Sequence, residues 1–154
     1  MVDIRPYSDA DLEQVKKLIV ELQTYEQQFD AGRAEATDEF AAWYLSHIFD
    51  NVRTQQGVAL VAEHENTLCG FAAGYAEEEL ERREEFFYIS ELVVTADLRG
   101  HGIGSSLIRA IEEFARSKGF KSIRIGVLAA SVQVYDLYKR LGFQDYAIEL
   151  IKVL

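Results

Sequence analysis

Glu91–Leu107 reads ELVVTADLRGHGIGSSL, a β-branched strand end, a short polar turn and a helix start crowded with Gly100, Gly102 and Gly104. Glycines at such a place remove side chains that would keep a ligand's phosphates from the main chain, and the free N–H groups of a helix's first turn bind anions. The pattern suits a pyrophosphate, with Arg99 adding a fixed charge at the mouth. A dinucleotide fingerprint would space its glycines G-x-G-x-x-G on the first strand–helix unit of a parallel sheet. Here the spacing is G-x-G-x-G after a fourth or fifth strand, and the lysine of a nucleotide-binding P-loop is absent. A purely structural turn remains the alternative on residues alone.

Working outward, Phe86–Val94 is rich in aromatic and β-branched residues and predicts a strand. Val58–Glu63 and Leu68–Ala76 predict an antiparallel hairpin across His64–Thr67. The acidic run from Glu77 to Glu85, broken by Arg82 and Arg83, predicts a solvated connector. Toward the N-terminus, a short strand at Val2–Arg5 precedes a helix capped by Ser8, with Leu12, Val15, Leu18, Ile19 and Leu22 on one face. Gln23–Ala36, weakly periodic and holding Gly32, predicts a loop or broken helix. Thr37 caps a second helix that runs to about Val52, with Asp38 and Glu39 at its positive end. Beyond the glycines, a helix from Gly102 to Lys118 stops at Gly119, and Ser122–Val127 predicts a short buried strand. Ser131 caps a last helix carrying Val134, Tyr135, Tyr138 and Leu141, ended by Gly142, and Phe143–Leu154 is strand-like. The order β-α-α-β-β-β-α-β-α-β predicts an α+β fold: a mixed, mostly antiparallel central sheet with helices on both faces.

At 154 residues, about half of them apolar and only one a proline, the sequence predicts a single domain over 1–154. No stretch approaches the roughly 18 to 20 apolar residues that cross a bilayer, and no apolar N-terminal leader follows a basic segment. The lone Cys69 excludes an intrachain disulfide and a thiolate-rich metal site, so cytoplasm is the expected compartment. Its apolar setting predicts a buried core thiol. A formal charge of −10 argues against nucleic acid and favours a cationic partner such as a polyamine or basic peptide. His47, His64 and His101 are scattered without metal-ligand spacing, so no metal is expected.

RGHGIG at 99–104, preceded by a strand ending in LVV, resembles the R-x-x-G-x-G/A signature of the GNAT superfamily. The opening IRPYSDADLEQV is similar to that family's first strand and helix, and LYKRLGF at 137–143 to its last-helix ending. The resemblance implies the GNAT-like acyl-CoA N-acyltransferase fold. Acetyl-CoA, the acyl-donor cosubstrate, would lie in a splay between the fourth and fifth strands. Its pyrophosphate would meet the amides of Arg99, Gly100, His101, Gly102, Ile103, Gly104 and Ser105. The bulged fourth strand, here Leu92, Val93 and Val94, would hold the pantetheine arm, with the Val93 N–H aimed at the oxyanion. Tyr138 matches the tyrosine that protonates the departing thiolate.

An ammonium near pKa 10 must lose a proton before it can attack, and Glu91 is the nearest strand carboxylate for that task. Tyr25, Glu26, Phe29, Trp43 and Tyr44 are candidates for the acceptor pocket. Val132 and Val134 stand where relatives carry an asparagine and a small residue, and Ser131 is the candidate replacement. The implied activity is direct transfer of acetyl from acetyl-CoA to a primary amine, on a small molecule, polyamine or peptide. A non-catalytic acyl-CoA-binding module is the rival. Neither nucleic acid nor membrane is an expected partner, and a homodimer is possible.

Overall fold

The β-branched run ending in Leu92, Val93 and Val94 becomes an inner strand of a five-stranded sheet in the computed structural model, which describes residues 1–154. In chain order the elements are β1 (Asp3–Pro6), α1 (Leu12–Glu26), α2 (Asp38–Thr54), β2 (Val58–His64), β3 (Thr67–Glu79), β4 (Glu84–Val94), α3 (Ile103–Ser117), β5 (Ile123–Ile125) and α4 (Val132–Arg140). The strands lie side by side in that same order, antiparallel except for the parallel pair β4–β5. Alternation along β3 sends Phe71 and Ala73 to one face and Ala72 to the other. Val15 and Ile19 of α1 and Leu45 of α2 cover the first face, while Leu107 and Ile111 of α3 cover the second with Phe87 and Ile89. Helices on both faces of a mixed, mostly antiparallel sheet are what the element order predicted.

Local chemistry sets the helix starts. The Ser8 N–H donates to Asp11 Oδ2 at 2.9 Å, and Arg5 grips both oxygens of Asp11 at 2.8 and 2.9 Å. Those guanidinium bonds hold the Asp11 carboxyl at about 2. Thr37 Oγ1 accepts from the Phe40 N–H at 3.0 Å and caps α2 as expected. Cys69 is buried.

Four expectations are corrected. Gln23–Ala36 is not broken from its start: α1 continues to Glu26, because buried Gln23 donates its amide to the Ala34 carbonyl at 2.9 Å and ties the following loop back. The acidic run is not a free connector. Glu77–Glu79 finish β3 and Glu84–Glu85 open β4, leaving a turn of Leu80–Arg83. Arg124 makes this possible by pairing with Glu79 while its guanidinium lies 3.8 Å from the centre of the Phe86 ring. Ser131 does not cap α4 through its side chain, which bonds elsewhere. Finally, Phe143–Leu154 forms no strand.

One irregularity positions everything below. Ala73 pairs with Glu91 but Gly74 pairs with Ile89, so Ser90 is an extra residue that bulges β4. Beyond Ile89↔Ile125 the parallel strands no longer pair, and the sheet splits. Gly74 allows close packing there: a Cβ would sit 2.5 Å from Phe87 Cε1 and 2.7 Å from the Tyr88 carbonyl oxygen. Gly74→Ala is therefore expected to destabilise the fold by about 1–3 kcal/mol through overpacking, read as a lower urea midpoint at unchanged slope. An unchanged midpoint would mean that the bulge gives way freely.

Candidate active site

The split between β4 and β5 opens a cavity of about 600 Å³. One end is walled by the glycine turn and the other by side chains from α1, α2, β4 and α4, with the β4 main chain joining them.

At the glycine end the backbone itself is the feature. Gly100 and Gly102 have φ of +80° and +82°, a region glycine enters without strain, and a Cβ at either would meet nothing within 4 Å. These glycines thus serve backbone conformation, and the space before them is open. Gly102 precedes α3, and the first helical bond runs from the Ser106 N–H to its carbonyl at 3.0 Å. The amides of Gly102, Ile103, Gly104 and Ser105 consequently have no main-chain acceptor and stand at the positive end of a 15-residue helix. Arg99 is held in place: its Nε donates to the Val94 carbonyl at 2.9 Å, its guanidinium lies 3.5 Å from Glu21, and it covers the Tyr25 ring at 5.1 Å. The exposed His101 ring turns outward onto the Arg99 carbonyl at 3.0 Å, and the residue does not line the cavity.

Along β4 the ladder decides which amides are free. The Thr95 N–H donates to the Cys69 carbonyl at 2.8 Å, and the Phe71↔Val93 register continues that phase. The Val93 N–H therefore faces Phe71 inside the sheet. The amides of Leu92 and Val94 face the split, as the Val94 carbonyl does in accepting from Arg99. The oxyanion role expected of Val93 does not fit this phase, because a one-residue bulge at Ser90 fixes the alternation.

The far end holds titratable groups with shifted proton affinities. Glu91 is 4% exposed, and Tyr44 Oη donates a hydrogen bond to its Oε1. Burial pushes the Glu91 carboxyl up to about 8, with the Tyr44 bond pulling the other way. Beside it, Glu26 is also raised by burial and forms an ion pair with Arg33 at 2.8 Å. Arg33 Nε is buried without a hydrogen bond, 3.6 Å from Asp30 Oδ2. Tyr138 is buried, and its phenol is raised by desolvation.

Ser131 lies 3.2 Å from the Tyr25 hydroxyl and lines the cavity, whereas Val132 is exposed and does not. Of the expected acceptor residues, Tyr25, Glu26 and Tyr44 line the cavity; Phe29 and the exposed Trp43 do not. Arg33 and the Tyr44–Glu91 pair are additions from the structure. The pair joins residues 47 apart, and no local sequence pattern marks it.

Residues 18–143 match the model of the acetyltransferase (GNAT) family. The chain is 29% identical to the thialysine N-epsilon-acetyltransferase of Bos taurus over 153 residues, covering 94% of this chain and 85% of that one. Among solved structures it is similar to a transcriptional regulator from Bacillus halodurans C-125, with a TM-score of 0.79 at 19% identity over the full length of both chains. It is also similar to an aminoglycoside N-acetyltransferase solved in complex with CoA, with a TM-score of 0.75 at 16% identity over 100% of this chain and 95% of that one.

Proposed function

The chain belongs to the acetyltransferase (GNAT) family and is an acetyl-CoA-dependent N-acetyltransferase; from that premise we propose that it works by direct transfer, with the residues of this cavity in defined roles. The observation that carries the reading is one cavity with unpartnered amides at one end and, at the other, a buried Glu91 whose raised carboxyl makes its anion a stronger base. The donor set fits acetyl-CoA: amides 102–105 and Arg99 suit its diphosphate, and the Leu92 and Val94 amides suit its pantetheine arm.

In this reading Glu91, directly or through water, takes the proton that an acceptor ammonium must lose before its nitrogen can attack the thioester carbonyl. The Leu92 amide, farther down β4 from the glycine turn than Val94, donates to the carbonyl oxygen as it gains charge. A C–N bond forms, and the C–S bond breaks. Tyr138, kept protonated by its burial, donates to the departing sulfur and gives it a proton. The nitrogen's surplus proton and the proton taken by Glu91 leave through solvent, which also restores the phenol. Ser131, braced by Tyr25, takes the place beside the arm that relatives fill with asparagine.

The overall charge of −10 favours an acceptor that arrives as a cation. A primary amine of the thialysine type is the first acceptor to test, because the bovine relative carries that name. No helix is long and apolar enough to cross a membrane. With Cys69 alone and buried, we assign the whole chain to the cytoplasm as one catalytic domain.

Thiol release from acetyl-CoA across a panel of amines tests the activity and the acceptor class together. In that assay Tyr138→Phe is expected to lower turnover about 10- to 100-fold while leaving acetyl-CoA affinity within about twofold, since only a contact made as the sulfur leaves is lost. Unchanged turnover removes the role from Tyr138. Wild-type protein that binds acetyl-CoA but releases no thiol with any amine would favour the binding-module reading.

A further inference from the structure

Arg33 stands in the wall of the cavity at its far end, and the transfer chemistry leaves it unused. Its seat is built by two glutamines. Gln23 Nε2 and Gln27 Nε2 each donate to the Ala34 carbonyl at 2.9 Å and fasten the loop after α1 back onto that helix. From this loop Arg33 Nη1 donates to Gln23 Oε1 at 3.4 Å, and Nη2 lies 2.8 Å from Glu26. Nε, 3.6 Å from Asp30, is buried without a hydrogen bond. A guanidinium is a planar fork of N–H donors, and these contacts leave part of it unmatched. Its charge also reaches the reacting end of the cavity: burial raises the Glu91 carboxyl and the Tyr44 phenol, and Arg33 is close enough to pull both back down.

Resting on the transfer reading above, we propose that Arg33 is a specificity residue that binds a carboxylate on the acceptor, so that the preferred amines carry that group away from the reacting nitrogen. A carboxylate is planar and singly charged, and it meets a guanidinium through paired N–H···O bonds. A phosphate or another dianion does not suit the place, because Glu26 and Asp30 already set negative charge beside Arg33. The overall charge of −10 selects for an ammonium, and Arg33 selects what that ammonium is attached to. A simple polyamine would set a second ammonium against the guanidinium and leave its fork as it stands. Sites that hydrogen-bond a substrate group discriminate strongly against analogues lacking it, because the site's own polar group is then stranded. Arg33 acts on binding, apart from the reacting atoms, so its effect belongs in KM.

The test compares 4-aminobutanoate, 5-aminopentanoate and 6-aminohexanoate, each with the alkylamine that lacks its carboxylate: propylamine, butylamine and pentylamine. In the thiol-release assay the wild type is expected to favour at least one of the amino acids over its alkylamine by about 10- to 100-fold in kcat/KM. Arg33→Gln is expected to shrink that preference to within about threefold, through a higher KM for the amino acid. Arg33→Lys keeps the charge without the fork and should retain an intermediate preference, and it decides the matter should the glutamine variant not fold. Because each preference is taken within one protein, a general loosening of the loop lowers both amines together and leaves the ratio standing. A wild type with no preference overturns the proposal, as does a preference that survives in Arg33→Gln or is undiminished in Arg33→Lys. Should no amine be acetylated, the transfer reading fails by itself, and calorimetric titration of the same pairs into CoA-loaded protein judges Arg33. Binding that needs both the carboxylate and Arg33 then upholds the proposal, and its absence overturns it.

Discussion

Glu91→Gln is expected to cut turnover about 10²- to 10³-fold with little change in acetyl-CoA affinity, because the amide keeps the shape of the site but cannot take a proton. The pH profile gives the sharper test. Since burial raises the Glu91 carboxyl to about 8, kcat/KM of the wild type should climb as pH rises through that value and level off above it. Tyr44→Phe should move the climb to higher pH, because the hydrogen bond from Tyr44 favours the carboxylate. Stability must move in the opposite sense. The folded protein keeps the Glu91 proton to about 8, whereas the unfolded chain loses it near 4.5. Between those values the folded state binds more protons, so the contribution is whole below 4.5 and is lost as pH rises through 8. Glu91→Gln removes that slope. A variant with wild-type turnover, or a wild type whose activity is flat from pH 6 to 9, would strip Glu91 of its role.

What the sequence made legible was chemistry carried within a few consecutive residues. Gly100, Gly102 and Gly104 marked the turn, Thr37 marked a helix start, and the aromatic and β-branched residues of Phe86–Val94 marked a strand, each through a preference that acts over a few residues of chain. The Val93 assignment failed for a different reason. Which β4 amides face the split depends on the ladder with β3, and one bulged residue at Ser90 sets that phase. The Tyr44–Glu91 bond depends on α2 packing over β4. The acidic run was misread because Arg124, 45 residues from Glu79, supplies the charge that lets it join the sheet. Arg33 sits in a stretch with no periodicity, and only the return of the loop onto Gln23 and Glu26 places it at the cavity. Ser131, too, looked like a cap when its neighbours in sequence were the only guide, and its bond to Tyr25 crosses from α4 to α1. Strands, helix starts and the glycine turn were therefore readable, whereas the Tyr44–Glu91 bond and amide direction awaited tertiary pairing.

Gly102→Glu is expected to weaken acetyl-CoA binding by more than 10²-fold, against a much smaller loss for Gly102→Ala. Both substitutions put a side chain at φ +82°, which costs about 1–2 kcal/mol of stability, so the alanine variant measures the backbone strain alone. Open space surrounds the position, so neither variant is opposed by a clash. The glutamate differs by bringing a negative charge to the free amides of α3, the groups assigned to the diphosphate. It competes for those donors and repels the ligand. A hundredfold loss corresponds to about 2.7 kcal/mol at 1.36 kcal/mol per decade, the scale of one or two charge-assisted hydrogen bonds. Calorimetric titration with acetyl-CoA and with dephosphorylated pantetheine separates the causes. Only acetyl-CoA carries the diphosphate, so the glutamate penalty must vanish for pantetheine. Equal affinity of the two variants for acetyl-CoA would show that the diphosphate does not rest on this turn, and the orientation along β4 that makes Leu92 the oxyanion donor would fall with it.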